Sequence, residues 1–335
     1  MGGVIALDVG GANTKAVWRD GVESRAVSRP FEVWRDRAAL EAVLREVVGE
    51  ASPGPVEAAA LTTTAELSDA FRTKREGVGF VLDAAEAALG VARPLALTTG
   101  GELVSFAEAR TRPLDVAAAN WVASALAVAA LHPDALMIDV GSTTVDVIPI
   151  AGGRVAAAGR TDLDRLLAGE LVYTGALRTN LAAVAPRVPV RGGWCPVASE
   201  LFAISADAHL ILGHLTADAY TCATPDGRPA TIECARERVA RLVCADAEQL
   251  AAEEIDAIAA SLHAEQVRQI EAAAGRVSER VGGAPPVVPL GGGAFLARDA
   301  AQGLDRAVVE LPWSAAERDA APAAALAGLL AERGP

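Results

Sequence analysis

Two stretches of the chain bring together residue types that bind polyanions. The first is Ala6-Leu7-Asp8-Val9-Gly10-Gly11-Ala12-Asn13-Thr14-Lys15, and the second is Met137-Ile138-Asp139-Val140-Gly141-Ser142-Thr143-Thr144-Val145-Asp146. Asp8 falls on Asp139, Gly10 on Gly141 and Lys15 on Asp146, a constant offset of 131 positions, and Gly21 falls on Gly152. Each copy reads as an apolar strand ending in Asp, a Gly-rich turn and a second strand. Glycines let a backbone curl tightly and adopt positive φ, so that successive N–H groups can converge on an anion. Gly10, Gly11 and Gly141 are the candidates for that turn, with Asn13, Thr14, Ser142, Thr143 and Thr144 as side-chain donors. Asp8 and Asp139 are candidate ligands for Mg2+, which prefers hard oxygen donors and keeps part of its water shell. One Asp-x-Gly-Gly hairpin could be a plain β-turn. Two in register argue for a duplicated domain whose hairpins face each other across a cleft.

Two further stretches add chemistry. Thr62-Thr63-Thr64-Ala65-Glu66-Leu67-Ser68-Asp69-Ala70-Phe71-Arg72-Thr73-Lys74-Arg75-Glu76-Gly77-Val78 places hydroxyls, Glu66 and the Lys74-Arg75 pair just beyond an apolar strand. In open α/β sheets ligands bind at such strand ends. Pro286-Val287-Val288-Pro289-Leu290-Gly291-Gly292-Gly293-Ala294-Phe295 reads as strand, glycine turn and helix start. Backbone at Gly291, Gly292 and Gly293 can approach a ligand closely, and the helix N-terminus favours an anion.

The elements that must position these residues follow from periodicity and turn signals. Strands are expected at Lys15 to Arg19, Val22 to Ser28, Val56 to Leu61, Leu95 to Thr98, Ala135 to Asp139, Val145 to Ile150 and Arg154 to Arg160. Asp36 is expected to cap a helix carrying Ala39, Leu40, Val43, Leu44 and Val47. Further helices are expected at Val78 to Leu89, Asp115 to Leu131, Ser199 to Leu212 and Ala315 to Leu330, with a helical pattern from Pro229 to Ser278. Asp207 and His209 read as a hydrogen-bonded core pair, and Glu248, Glu253, Glu254 and Asp256 as a solvated acidic face. Thr161 to Val190, rich in turn signals and containing Tyr173-Thr174-Gly175-Ala176-Leu177-Arg178-Thr179, either shapes substrate specificity or only packs. The pattern is that of an α/β protein with an N-terminal domain at 1–131 and a C-terminal domain at 132–335, the latter carrying an inserted segment at about 161–230.

Composition sets limits on partners. At 335 residues the chain can bury two cores of ordinary size. Only 4% of residues are aromatic, so those cores rest on Ala, Val and Leu. A net charge of −13 argues against nucleic acid, whose binding rests on Lys and Arg neutralising phosphates. It leaves room for a phosphorylated small molecule held by a local cluster of donors. The apolar start Val4-Ile5-Ala6-Leu7 is cut short by Asp8, and the run from Val116 to Leu131 falls short of the ~20 residues a bilayer span needs. No membrane association is expected, and the natural location is the cytoplasm. Cys195, Cys222, Cys234 and Cys244 show no C-x-x-C spacing, and reduced thiols are expected. There are only two lysines, Lys15 and Lys74, and both fall in the stretches singled out above.

Two Asp-x-Gly hairpins followed by a late strand–Gly-Gly-Gly–helix resemble the actin, sugar-kinase and heat-shock-chaperone ATPase superfamily, with duplicated ribonuclease-H-like domains. A closer resemblance is carried by Thr64-Ala65-Glu66-Leu67-Ser68-Asp69 through Lys74-Arg75-Glu76-Gly77-Val78, by Met137 to Asp146 and by Ala198-Ser199-Glu200-Leu201-Phe202-Ala203. These look like the tetrahydromethanopterin-linked one-carbon-transfer proteins, a group related to hydantoinase/oxoprolinase that includes the furan-methanamine synthases of methanofuran biosynthesis. The resemblance implies an alkyl transfer in which a phenol displaces pyrophosphate from a furan-methyl diphosphate. It also implies roles for the residues. Asp8, Asp139, Ser142 and Thr143 would bind Mg2+ and phosphates, Lys15, Lys74 and Arg75 would neutralise charge, and Asp146 or Glu66 would take the phenolic proton. Mg2+ is the expected cofactor, and ATP is compatible with such a fold but not expected to be required. Partners would be a phosphorylated furan and a phenolic amine, and a homodimer is a compatible assembly. The alternative on the same fold is an ATP-dependent small-molecule kinase or a hydantoinase-like hydrolase.

Overall fold

The computed structural model describes residues 2–21 and 23–333. It divides into two compact units that are not contiguous halves. The first comprises residues up to Ala135, Ile148–Ala168 and the chain from Glu310; the second comprises Leu136–Val147 and Gly169–Val309. Part of the segment after the second hairpin and the last helices thus belong with the first unit, on the other side of a division drawn at 131/132.

The first unit is built on β1 (Gly3–Val9), β2 (Asn13–Asp20), β3 (Glu23–Pro30), α1 (Leu40–Ala51), β4 (Val56–Thr63), α2 (Lys74–Leu89), β5 (Leu95–Leu97), β6 (Leu103–Ser105), α3 (Phe106–Thr111) and α4 (Asn120–Leu131). Its sheet runs β3-β2-β1-β4-β5-β6, with β1 antiparallel to β2 and parallel to β4. Strand side chains alternate between faces. Ile5, Leu7 and Val9 therefore join Leu40, Leu44, Val78, Val81 and Leu82 in one core under α1 and α2. Asp8 points to the opposite face.

The second unit starts from β7 (Ala135–Val140) and β8 (Val145–Ala151), the latter passing into the first unit at Ile148. β9 (Arg154–Val155) and α5 (Asp162–Ala168) lie in the first unit. The chain then returns through β10 (Leu171–Val172), the β11 (Arg187–Val190) and β12 (Gly193–Pro196) ribbon, α6 (Ser205–Ile211), α7 (Ile232–Arg241), α8 (Ala252–Val281), β13 (Val287–Leu290) and α9 (Ala294–Gly303). It finishes in the first unit with α10 (Ala315–Asp319) and α11 (Ala321–Arg333). The second sheet has the order β10-β8-β7-β13, with β13 parallel to β7. The two sheets share their central logic: a hairpin, then a parallel strand added on the far side of its first strand. This is the duplicated ribonuclease-H-like arrangement of an α/β protein.

The repeat is exact down to single hydrogen bonds. Gly10 N–H donates to Asn13 O at 2.9 Å, and Gly141 N–H donates to Thr144 O at 2.9 Å. The outer turns match as well, with φ of 54° at Gly21 and 57° at Gly152. Val9 O accepts from Thr64 N–H at 3.0 Å, and Val140 O from Gly293 N–H at 3.0 Å, so each central strand is tied at the same position to the turn after its parallel neighbour.

Several elements differ from the sequence expectation, each for a local reason. Val22, the expected start of the third strand, lies outside the described residues; β3 itself runs to Pro30. Asp36 caps a 3-10 turn at Arg37–Ala39, and α1 begins only at Leu40. α2 begins at Lys74 rather than Val78, because Thr73 accepts the Glu76 N–H while Glu76 reaches back to Arg72 N–H. Asp115 ends a 3-10 turn, and the chain then runs beside Thr63, through Ala118 at φ 52°, before α4 starts at Asn120. The helix expected from Ser199 is confined to Ser205–Ile211, since Ala203 and Ile204 are held extended against Leu181 and Asn180. The Pro229 to Ser278 pattern breaks into α7 and α8 around Cys244, whose φ is 54°. Glu253 and Glu254 occupy the first turn of α8, Asp256 pairs with Arg236, and Glu248 precedes the helix. β9 is two residues long, and the last helix is split into α10 and α11.

Asp207 and His209 are both fully buried, and each finds its own partner. His209 Nδ1 lies 2.9 Å from Ala176 O. Asp207 Oδ1 accepts from Arg238 Nη2 at 2.7 Å and from the Tyr220 hydroxyl at 3.0 Å. Breaking a buried ion pair from one side strands the other charge. Arg238→Met should therefore lower stability by about 3–5 kcal/mol in urea unfolding, and Arg238→Met with Asp207→Leu should recover much of that loss.

Candidate functional site

In the first unit the site begins with a row of polar residues across three strands. Lys15 on β2 pairs with Asp8 on β1, and Asp8 pairs with Thr62 on β4, so all three side chains share the face away from α1 and α2. Asp8 is 9% exposed and Thr62 is 1%. The hydroxyls of Thr14 and Thr62 are buried without a hydrogen-bond partner. Lys15 Nζ donates to the backbone carbonyl of Asp319 and lies 3.6 Å from its carboxylate. Glu317, on the same short helix, accepts from Arg19 at 2.9 Å and from Ser24 at 2.8 Å. The lysine is thus anchored by a segment that enters the unit only at Glu310.

A second cluster lies just beyond β4. Glu66 is 1% exposed, in a 3-10 turn at Ala65–Leu67. Gly77 lets α2 press on that turn: a Cβ there would sit 2.6 Å from Glu66 Cα. Thr63 Oγ1 donates to Val9 O at 3.0 Å, which leaves it only an acceptor for the Glu66 Oε2 3.5 Å away. Glu66 Oε1 is buried without a partner. Burial pushes the Glu66 pKa up to about 8, against the pull of its own backbone amide, the Lys74 ammonium and the Ala118 amide. The group therefore holds a proton at neutral pH. Lys74 Nζ sits 2.8 Å from Asp162 Oδ2, and Arg165 Nη2 is 3.0 Å from Asp162 Oδ1. The Arg165 guanidinium lies 4.8 Å above the Trp121 ring. Arg75 is exposed.

The second unit repeats the hairpin with different chemistry. By the register that closes its turn, Asp139 stands opposite Asp146, where the first hairpin has Asp8 and Lys15. Both acids are 7% exposed. The turn is gripped from outside: Ala176 N–H donates to Gly141 O, and Leu177 and Arg178 N–H donate to Ser142 O. Ser142 Oγ and Thr143 Oγ1 lie 3.4 Å apart. Gly291, at φ 80°, comes so close to Asp139 that a Cβ would lie 2.5 Å from its Oδ1. Gln266, fully buried, donates to Thr174 Oγ1 at 2.9 Å and to Gly175 O at 3.1 Å.

Two sequence expectations need correction. Gly10, Gly11 and Gly141 do not adopt left-handed φ; among the glycines of these turns only Gly291 does, and the hairpins instead close through their two-residue register. The amides after the late glycines are also partly used. Gly293 N–H binds Val140 O and Ala294 N–H binds Gly291 O, while Gly292 is exposed. Asn13, Thr143 and Thr144 are half-buried at the turns. Asp162, Arg165, Trp121, Asp319 and Gln266 were not legible as site residues, because each is brought in by an element distant in sequence. Among the described residues no group of three or more His, Cys, Asp or Glu could hold a metal by itself, and no helix is long and apolar enough to cross a membrane. Among the described residues no disulfide joins Cys195, Cys222, Cys234 or Cys244.

Comparison with known proteins adds family context. The hydantoinase/oxoprolinase family profile matches residues 57–333. A protein of Methanocaldococcus jannaschii named (4-{4-[2-(gamma-L-glutamylamino)ethyl]phenoxymethyl}furan-2-yl)methanamine synthase is 38% identical over 254 residues, which cover 75% of this chain and 74% of that protein. The Methanococcus vannielii protein of the same name is 37% identical over 152 residues, 45% of this chain and 68% of its own. Among solved structures, nucleotide-free acetone carboxylase superposes with a TM-score of 0.59 at 11% identity, covering 96% of this chain and 70% of its own. That likeness concerns the fold alone.

The raised pKa of Glu66 has a consequence for stability. In the unfolded chain the carboxyl ionises near 4.5, and in the folded chain near 8. Between these values the folded state holds one more proton, so stability falls as pH rises through the window. Wild-type protein should lose on the order of a few kcal/mol between pH 4.5 and 8 relative to Glu66→Gln. Urea unfolding of both across that range checks it, and parallel curves would remove the buried proton.

Proposed function

This chain belongs to the hydantoinase/oxoprolinase family and to the family of the furan-methanamine synthases, and on that premise we propose that it is a transferase of methanofuran-type coenzyme biosynthesis. The reaction joins a furan-methyl diphosphate to the phenol of a tyramine or tyrosine derivative. The bond between the furan-methyl carbon and the diphosphate oxygen breaks, and its electron pair leaves with pyrophosphate. The phenol oxygen forms the new bond to that carbon, and the phenolic proton passes to a base. The observation that carries this reading is the 38% identity across three quarters of both chains.

The residues suit the chemistry. A furan-methyl carbon tolerates positive charge, so departure of the diphosphate can run ahead of attack. Growing negative charge on the leaving group is best met by fixed cations and amide donors. Lys15, Lys74 and the exposed Arg75 that follows Lys74 in the chain supply cations, and Asn13, Thr14, Ser142, Thr143 and Thr144 supply donors. Asp8 in the first unit and Asp139 in the second each offer the hard carboxylate oxygens that Mg2+ favours, and position 291 must be glycine because a side chain there would press on the Asp139 carboxylate. Bound there, Mg2+ would neutralise phosphate charge, with water or substrate oxygens filling its remaining positions. Glu66, with its pKa near 8, can accept the phenolic proton only in its ionised fraction, which grows as pH rises toward 8, and Asp146 is the alternative acceptor.

Purified protein incubated with Mg2+, a furan-methyl diphosphate and a tyramine derivative should release pyrophosphate without ATP. A requirement for ATP, or appearance of ADP, would instead support a kinase or hydantoinase-like hydrolase. Lys74→Ala should lower turnover by about 100-fold or more with the circular dichroism spectrum unchanged. Near-normal turnover in that variant would take Lys74 out of the site.

A further inference from the structure

The helix that carries Asp162 lies in the stretch expected to be an inserted specificity segment, yet it belongs to the first unit and touches the Thr64–Val78 block. Asp164 on this helix is exposed, but Asp162 and Arg165 are withdrawn from solvent. Asp162 is held from two sides, by Lys74 at 2.8 Å and Arg165 at 3.0 Å, and Arg165 is 2% exposed beneath its contact with Trp121. Leu163, Leu166 and Leu167 on the same helix face outward, so burial of Arg165 is the feature that fixes the helix in place. Beyond Lys74 lies the Glu66 carboxyl, one oxygen of which is buried without a partner.

We infer that Asp162 is a positioning residue of the candidate site: clamped by Arg165 over Trp121, it fixes the Lys74 ammonium and sets the charge that the buried Glu66 carboxyl faces. This rests on the proposed role of Glu66 and Lys74 and extends it to a residue of another segment. The charged groups that face Glu66 are Lys74 from α2 and Asp162 from α5, with Arg165 behind them. The Val116–Ala119 segment contributes the Ala118 amide, and β4 contributes the Thr63 hydroxyl. The two charges act in opposite senses, Lys74 favouring the ionised carboxyl and Asp162 the protonated one. Removing the negative charge of Asp162 leaves Lys74 and Arg165 uncompensated beside the carboxyl, so Glu66 should release its proton more readily.

The experiment needs no substrate. The Glu66 carboxyl is titrated by infrared difference spectroscopy on the full chain, with Glu66→Gln identifying its band. Asp162→Asn should shift the midpoint down by about half a pH unit or more, Lys74→Met should shift it up, and Asp162→Glu should restore the wild-type value. The same displacement should appear in the acidic limb of the pyrophosphate-release pH profile of Asp162→Asn. A wild-type midpoint in Asp162→Asn overturns the inference. If that variant does not fold, Trp121→Leu, which loosens Arg165 while every charge remains, must broaden or move the midpoint, and an unchanged titration there overturns it equally. Failure of the transferase reading is a separate result, since it would leave these spectroscopic shifts in place while pyrophosphate release stayed absent.

Discussion

A carboxylate at the penultimate residue of a strand buried on both faces is expensive to desolvate, and this chain bears that cost twice, at Asp8 and at Asp139. Much of the architecture follows from keeping those two groups in place. Each strand is paired on both sides, each hairpin closes through the same N–H to carbonyl bond, and each strand-end carbonyl is taken by the turn after the parallel neighbour. The groups are thereby held by backbone rather than by flexible side chains, which is what a binding site for a charged ligand requires.

The two hairpins have kept this frame while exchanging what surrounds it. Opposite Asp8 stands a lysine, tethered at its far end to Asp319; opposite Asp139 stands a second acid. The first turn is followed at β4 by the Glu66 cluster, whereas the second is gripped by Gly175–Arg178 and approached by Gly291. The backbone geometry is thus duplicated while the charge set around each copy has diverged.

The frame was legible in the sequence because it is local. The hairpins, the strand before Thr64 and the late glycine turn each declare themselves within about a dozen residues through apolar runs and glycine punctuation. What escaped was set by contacts far apart in the chain. Asp162 reads as the edge of an insertion until α5 is seen against α2, and Asp319 reads as one more acid on an Ala-rich helix. Helix starts failed for a related reason. Val116–Ala119 has helical composition but is diverted alongside Thr63, and Ala203 and Ile204 are captured by Leu181 and Asn180. In each case a tertiary hydrogen bond outweighed a local preference worth only a few tenths of a kcal/mol per residue.

The membership of α11 in the first unit bears on how the protein is made. That helix packs on β1, β2, β4 and α4, covering the sheet face that carries Asp8. A ribosome delivers it only after the whole of the second unit has been translated, so the N-terminal sheet waits with one apolar face bare while some 140 residues of the other unit emerge. The second unit has its own complete core and is free to fold during that interval. The second unit can therefore complete its core before the first, whose uncovered sheet face is the aggregation-prone surface in the meantime.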